Sequence, residues 1–235
     1  MVYGGAPVVE GRAVASRLLG AQPALDSLWI SWDPAEVWLS RDGDFGVIYG
    51  RTTVRQRSGT AAPASGVIIA AWRRLESWRL VGFMATSLTR PSDTRLAREI
   101  GPLTHRPVSV RGPLSDLVAA DAAFSELAQR TSAAEAFRTY AAQTAVVFGG
   151  AETLRGPEAI GASFARGQKA RWVWHPVAVR GSTSGDLGFT VGEAIITPVD
   201  SALPPAYSKY LTVWTRLPDG SVRYLTDGGN PRPKP

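Results

Sequence analysis

Three polar residues in the second half of the sequence have side chains suited to acid/base catalysis. Asp227, His175 and Tyr210 lie in separate strand-like runs. A carboxylate in an apolar cavity has its pKa raised toward neutrality and becomes a usable general base. A tyrosine hydroxyl can donate to a developing oxyanion, and a histidine titrates in the useful range. These residues are therefore the candidate catalytic group.

Each candidate also has a structural explanation. Asp227 begins the segment D-G-G-N, where its carboxylate could accept hydrogen bonds from the backbone amides of a turn. His175 precedes Pro176, as a residue at a strand bend would, and tyrosine is common in strands. Alternation along the last strand assigns Asp227 to the face of Leu225 and Arg223.

Aromatic residues in the same region suggest a ligand cavity that needs no chemistry. Eight tryptophans is a high count for 235 residues, although aromatic residues at alternating strand positions suit a packed core equally well. The candidate ligand-binding residues are Trp172, Trp174, Phe164, Tyr210 and Trp214.

Composition excludes several other kinds of site. The chain has no cysteine, and its two histidines, His105 and His175, lack metal-site spacing, so we expect neither a metal nor another cofactor. The net charge of +6 is not arranged as a basic stripe with interleaved aromatics, so nucleic acid is not an expected partner. No apolar run reaches the roughly 18 residues of a membrane span, so we expect no membrane association.

One pattern, S-x-x-G-D-x-G-x-x-x-G, occurs twice, 142 positions apart, over residues 40–50 and 182–192. Matches extend in register on both sides, from the segment 31–34 against 173–176 to the segment 69–74 against 211–216. The repeat predicts two copies of one fold. Asp44 and Asp186 then belong to equivalent hairpin turns and become poor catalytic candidates.

The second copy shows the order of the elements. Helical spacing over 114–128, a capping box at Ser132, and Gly156-Pro157 predict three helices. Four strand-like runs follow, over 170–180, 188–196, 207–216 and 222–227. This order predicts an α+β unit over 114–235 and an incomplete unit over 1–86, without counterparts of the first two helices. An Arg/Pro-rich linker over 87–113, with a short helix over 92–100, would join them.

The pieces G-G-A-x-x-x-x-G-P-E-A-I, W-x-P-V, S-G-D-L-G-F-T-x-G, Y-L-T-V-W and T-D-G-G-N-P together resemble the SnoaL-like branch of the nuclear transport factor 2-like superfamily. More narrowly, they are similar to bacterial domains of unknown function in that branch. The resemblance implies two cones of curved antiparallel sheet wrapped on helices, packed as an intrachain pseudodimer, with a homodimer of the whole chain as a further option.

The family includes ketosteroid isomerase-like and polyketide cyclase-like enzymes, scaffold domains and small-molecule binders, and a shared fold does not choose among them. Our preferred hypothesis is a small-molecule-binding tandem domain that uses the apolar cone cavity of the second copy. The alternatives are an acid/base isomerase, cyclase or hydrolase acting on a small apolar molecule, and a purely structural or assembly module.

The compartment stays open. The first residues, MVYGGAPVVEG, have neither the basic nor the apolar region of an export signal. A signal on a preceding segment would make the protein periplasmic or secreted, and without one it would be cytoplasmic.

Overall fold

The first unit is built on a five-stranded sheet. The computed structural model describes residues 2–3, 11, 13–14, 17, 27–58, 63–87, 110–148, 153–167, 169–199 and 202–235. The strand order in the sheet is β1-β5-β4-β3-β2, and only β1 runs parallel to its neighbour. The strands are β1 (Val2–Tyr3), β2 (Leu28–Leu39), β3 (Phe45–Gln56), β4 (Ala64–Arg74) and β5 (Trp78–Ser87).

Three helices and six strands make up the described residues of the second unit. In chain order these are α1 (Ser115–Arg130), α2 (Ala133–Tyr140), β6 (Val146–Phe148), β7 (Thr153–Arg155), α3 (Gly156–Arg166), β8 (Ala170–Gly181), β9 (Leu187–Pro198), β10 (Ala206–Arg216) and β11 (Val222–Pro231). The last four form an antiparallel meander, and β6 pairs with β7 in a small separate sheet. The predicted α+β fold, with two such units, is confirmed.

Local sequence explains where the helices begin. The Ser132 side chain accepts a hydrogen bond from the backbone amide of Glu135 at 3.1 Å, which starts α2 as the capping box predicts. Proline lies in the first turn of α3, where a missing amide has no cost. The short helix predicted over 92–100, and the linker apart from residues 87 and 110–113, lie outside the described residues.

Two β-bulges occur at equivalent places in both units. The pairing between the first two long strands skips Ala35 in one unit and Val177 in the other. The pairing between the last two strands skips Val81 and Leu225. Since a bulge bends its strand and increases its twist, both sheets have a bend at equivalent positions.

The bulge at Leu225 changes which face Asp227 occupies. Tyr224 pairs with Trp214, and Asp227 pairs with Thr212, so one extra residue interrupts the alternation between them. Asp227 therefore shares the helix-facing side of the sheet with Tyr224, whose hydroxyl donates to the Phe137 carbonyl at 2.7 Å. The expected grouping of Asp227 with Leu225 and Arg223 is wrong, because strict alternation does not allow for a bulge.

The repeated motif forms the hairpin between the first two long strands of each unit, as predicted. Gly43 and Gly185 both have a φ of 66°, a left-handed conformation that glycine adopts without strain. The aspartate that follows accepts a hydrogen bond from the first serine of the motif, at 3.0 Å for Ser40 and Asp44 and at 2.7 Å for Ser182 and Asp186.

The same two aspartates also join the units reciprocally. Asp44 accepts hydrogen bonds from the Thr183 backbone amide at 2.9 Å and from its hydroxyl at 2.6 Å. Asp186 accepts from the Arg41 backbone amide at 2.8 Å. Since Arg41 and Thr183 occupy equivalent positions, each hairpin contributes a carboxylate to the other across a pseudo-twofold axis. Burial works to raise the pKa of Asp44, but the hydrogen bonds from Thr183 and Ser40 outweigh it, so this pKa lies below its usual value.

The convex faces of the two sheets pack against each other. The rings of Phe45 and Phe189 stack with centroids 6.3 Å apart. Gly82 lies directly against the Phe189 ring, and Gly228 lies against the end of the Met84 side chain, so a side chain at either position would displace its neighbour. These contacts form the intrachain pseudodimer. No helix in the described part of the chain is long and apolar enough to cross a membrane.

We predict that Asp186 contributes more to stability than Asp44. Asp186 is fully buried, so Asp186→Ala leaves the Ser182 and Ser184 hydroxyls and the Arg41 amide without this acceptor. Each lost partner of a buried group costs about 1 to 3 kcal/mol, so we expect a loss of about 3 kcal/mol in the free energy of unfolding. Asp44→Ala, at a half-buried site, should cost about 1 kcal/mol.

Urea unfolding of the full chain measures both losses. Asp219→Ala is the matched control, because Asp219 also accepts from a serine in a turn, Ser221, but is exposed and bonds only within its own unit. It should cost less than about 1 kcal/mol. Equal losses for the Asp186 and Asp219 variants would contradict a connecting role for Asp186.

Candidate functional site

A cavity of about 1260 Å³ lies on the concave side of the second sheet, between the sheet and the three helices. Its described lining is mostly apolar and aromatic, and it contains one carboxylate, from Asp227. Of the predicted ligand-binding residues, those that line it are Phe164, Trp172, Trp174 and Tyr210.

Aromatic packing shapes one wall of the cavity. The Phe164 ring stacks on Phe137 with centroids 3.8 Å apart, and it meets Trp172 edge-on at 5.7 Å. Trp214 is also aromatic and helix-facing, but it is fully buried beside Phe124 in the core rather than in the cavity lining. Its indole nitrogen donates to the Thr190 hydroxyl at 2.8 Å.

Asp227 is held in the cavity wall by its cross-strand partner. The Thr212 hydroxyl donates to a carboxylate oxygen of Asp227 at 2.5 Å. Burial raises the pKa of Asp227 to about 7, the nearby Asp121 carboxylate adds to the rise, and the Thr212 hydrogen bond opposes it. A carboxyl group with this pKa exchanges a proton near neutral pH.

A second carboxylate, Asp121 of α1, lies fully buried behind the cavity wall. It accepts a hydrogen bond from the Trp174 indole nitrogen at 2.9 Å and another from the Tyr210 hydroxyl at 3.0 Å. Burial raises its pKa to about 6, against the effect of these hydrogen bonds. Asp121 thus fixes the orientation of two aromatic side chains that line the cavity.

Tyr210 stays protonated in this arrangement. Burial and the adjacent Asp121 carboxylate both raise the pKa of its phenol well above the usual value. Its hydroxyl occupies space that a side chain at position 192 would fill, since a Cβ on Gly192 would overlap it. The last glycine of the second motif therefore makes room for the hydrogen bond between Tyr210 and Asp121.

The structure brings together two of the three predicted catalytic residues. Tyr210 and Asp227 both line the cavity, although the Tyr210 hydroxyl donates to Asp121. His175 is exposed and is not among the cavity-lining residues, because its neighbour Trp174 points toward the helices and successive strand residues face opposite ways. His175 instead lies opposite Glu193 on the neighbouring strand β9.

Asp121 was not among the residues that sequence reasoning selected. The signal was present, because Leu117, Asp121, Phe124 and Ala128 follow helical spacing, which places an acidic residue on the buried stripe of α1. A buried carboxylate requires polar partners, so this position points to a functional or orienting role. Within the described ranges, no three histidine, aspartate or glutamate side chains come together as a metal site.

We predict that Asp121→Ala destabilises the protein strongly. It leaves the Trp174 indole N–H and the Tyr210 hydroxyl without their partner in the core, at about 1 to 3 kcal/mol for each. Asp121→Asn is the matched control, because its amide oxygen can still accept from Trp174. Urea unfolding should show a loss near 4 kcal/mol for alanine and about 1 kcal/mol for asparagine. Equal losses would show that the hydrogen bonds at Asp121 contribute little.

No protein-family model matches the chain, and no curated protein matches it. Solved structures do resemble it. A ketosteroid isomerase-like protein from Erwinia carotovora atroseptica is 16% identical, with a TM-score of 0.44, and the match covers 50% of this chain and 95% of that one. An NTF2-like protein with a cystatin-like fold from Novosphingobium aromaticivorans is 16% identical, with a TM-score of 0.40 and coverage of 49% and 79%.

Nuclear transport factor 2 from Cryptosporidium parvum is 12% identical, with a TM-score of 0.40 and coverage of 52% of this chain and 98% of that one. These matches each cover about half of this chain, and their names are those of ketosteroid isomerase-like or nuclear transport factor 2-like proteins, the group that the sequence resembles. The similarity concerns the fold alone.

Proposed function

We propose that the second unit binds a small, mostly apolar molecule in the cavity on the concave side of its sheet. The observation that carries the proposal is the cavity itself, about 1260 Å³ in volume, with a described lining that is mostly apolar, in part aromatic, and includes polar groups such as Asp227. Ligand sites in proteins are typically concave, mostly apolar, and supplied with a small number of polar groups that orient the ligand.

Burial of exposed apolar surface favours binding of a ligand in this cavity. Phe164 and Trp172 are half-buried, so part of their apolar surface remains open to the cavity. Removing apolar surface from water stabilises a complex by about 25 cal/mol per Å² before the costs of association. Asp227 and the Thr212 hydroxyl would meet a polar group of the same ligand.

Acid/base catalysis is the second candidate, and the raised pKa of Asp227 favours it. A carboxyl group that titrates near neutral pH could take a proton from a bound molecule and return it. The Tyr210 hydroxyl is engaged with Asp121, and His175 lies outside the cavity, so Asp227 would act without a second proton-transfer group from the predicted three. Binding therefore needs fewer assumptions than catalysis. A purely structural module would need no open cavity.

We predict that N-phenyl-1-naphthylamine, a neutral apolar dye, binds saturably to the full chain. Its fluorescence rises in apolar surroundings, so titration measures its dissociation constant. Trp172→Ala removes a large part of the aromatic wall, and we expect affinity to fall roughly 5- to 10-fold.

Trp29→Ala is the matched control for this experiment. Trp29 is 65% exposed on the first unit, so dye bound nonspecifically to exposed tryptophan would respond to its removal. We expect no change in affinity for this variant. If the Trp29 variant lost affinity and the Trp172 variant did not, the dye would be bound outside the cavity and the proposal would be wrong.

We predict further that binding of the same neutral dye weakens as pH rises through about 7. Below this pH Asp227 is protonated and neutral, and above it the ionised carboxylate holds water that an apolar molecule must displace. Titrations at pH 5.5 and 8.5 should differ by roughly 3- to 10-fold in dissociation constant, with the tighter binding at the lower pH.

Asp227→Asn keeps the shape of this side chain and removes its titration, so most of the difference in affinity between the two pH values should disappear. The other buried carboxyl group that titrates in this range is Asp121, whose pKa burial raises to about 6. A pH dependence that persists in this variant would assign the effect to another group. Under the catalytic alternative, Asp227→Asn would abolish conversion of a bound compound while leaving its binding measurable.

A further inference from the structure

The negatively and positively charged residues that line the cavity lie at opposite ends of it. Asp227 pairs with Thr212, which pairs with Thr190 of β9. Arg171 pairs with Thr197, seven residues further along the same strand. At about 3.3 Å per residue, the negative and positive positions lie roughly 20 Å apart along the sheet.

Two cations, Lys169 and Arg171, line the cavity at the end far from Asp227. Because Arg171 precedes Trp172 on the edge strand β8, alternation assigns its side chain to the opposite face of the sheet, and it contributes to the lining where β8 begins. Both cations are exposed, and neither forms an ion pair within the described part of the chain. By contrast, Arg155 is paired with Glu36, and Arg216 with Asp116. Among the described residues, therefore, no carboxylate pairs with the positive charge at this end of the cavity.

The aromatic wall lies between the two ends. Strand β9 gives the order of these residues along the sheet, starting from Thr190 at the level of Asp227. Trp174 lies opposite Ala194, and Trp172 lies opposite Ile196, two residues further along. Arg171 follows, opposite Thr197. Trp172 is thus the aromatic residue next to the cationic end, with Phe164 in edge contact with it. A molecule lying on these two rings has one end beside Lys169 and Arg171.

We propose, on the basis of the binding function above, that the ligand is an apolar organic acid with its anionic group at the mouth of the cavity. Its apolar body lies on Phe164 and Trp172, and its carboxylate, sulfonate or phosphate lies between Lys169 and Arg171. The opposite orientation would bring the anion toward Asp227, where like charges repel. The separation of charges therefore favours an acidic ligand and determines which way round it lies in the cavity.

The test compares two dyes that differ only in an acidic group. The first is 8-anilinonaphthalene-1-sulfonate, and the second is the neutral N-phenyl-1-naphthylamine. We expect the full-length wild-type chain to bind the sulfonate more tightly. In Lys169→Gln/Arg171→Gln the dissociation constant of the sulfonate should rise roughly tenfold, and that of the neutral dye less than about twofold.

Arg79→Gln/Lys234→Gln is the matched control. It removes the same two charges from exposed positions outside the cavity lining, so an effect of net charge alone would lower sulfonate affinity equally in both double variants. We expect this control to bind both dyes like the wild type. Raising the salt concentration should weaken binding of the sulfonate and leave binding of the neutral dye unchanged, since salt screens exposed charges.

The outcomes separate this inference from the proposed function. If both dyes bind and respond to Trp172→Ala, but Lys169→Gln/Arg171→Gln leaves sulfonate affinity unchanged, the acidic ligand class is wrong while the binding function stands. If neither dye binds the wild type, the binding function fails and this inference fails with it. Sulfonate binding that weakens equally in both double variants would also overturn it, because net charge alone would then explain the preference.

Discussion

Both faces of the second sheet carry apolar residues, and each of them is covered. On the convex side, Ile69 of the first sheet and Leu211 of the second are completely buried, in a core that continues from one unit to the other. The hairpin carboxylates Asp44 and Asp186 bond across this contact and set one packing geometry. On the concave side of the second sheet, α1 places Phe124 against Trp174 with centroids 4.6 Å apart. The cavity lies on the rest of this concave face, and Phe124 and Trp174 contribute to its lining.

The sequence was informative where a structural rule acts locally. Helical spacing, the Ser132 cap and the paired glycines at 43 and 185 depend on neighbouring residues, and the structure has these elements at the expected places. The doubled motif also indicated the doubled fold, because residues in register over a whole unit are constrained by the same architecture.

Contacts between residues that are distant in sequence could not be predicted from local patterns. The bulge at Leu225 is visible only in strand pairing, and it moves Asp227 to the other face of the sheet. The contacts of Asp121 with Tyr210 join positions 89 residues apart. The hairpin aspartates were correctly removed from the catalytic candidates, but their bonds to the opposite unit depend on how the two sheets pack, which no local pattern contains.

The two units differ at three equivalent positions, which are polar in the second unit and apolar in the first. By strand pairing, the counterparts of Tyr210 and Thr212 are Ile68 and Ala70, and the counterpart of Asp227 is Phe83. The first unit thus demonstrates that this fold accepts apolar side chains at all three positions. In the second unit, burial raises the pKa of Asp227, and its charged form is correspondingly disfavoured in the folded protein. A unit that served only to pack against its neighbour would gain stability from the apolar set. Since stability-lowering groups concentrate where a site needs them, the presence of Asp227 beside an open, mostly apolar cavity supports the binding function that we propose over assembly alone.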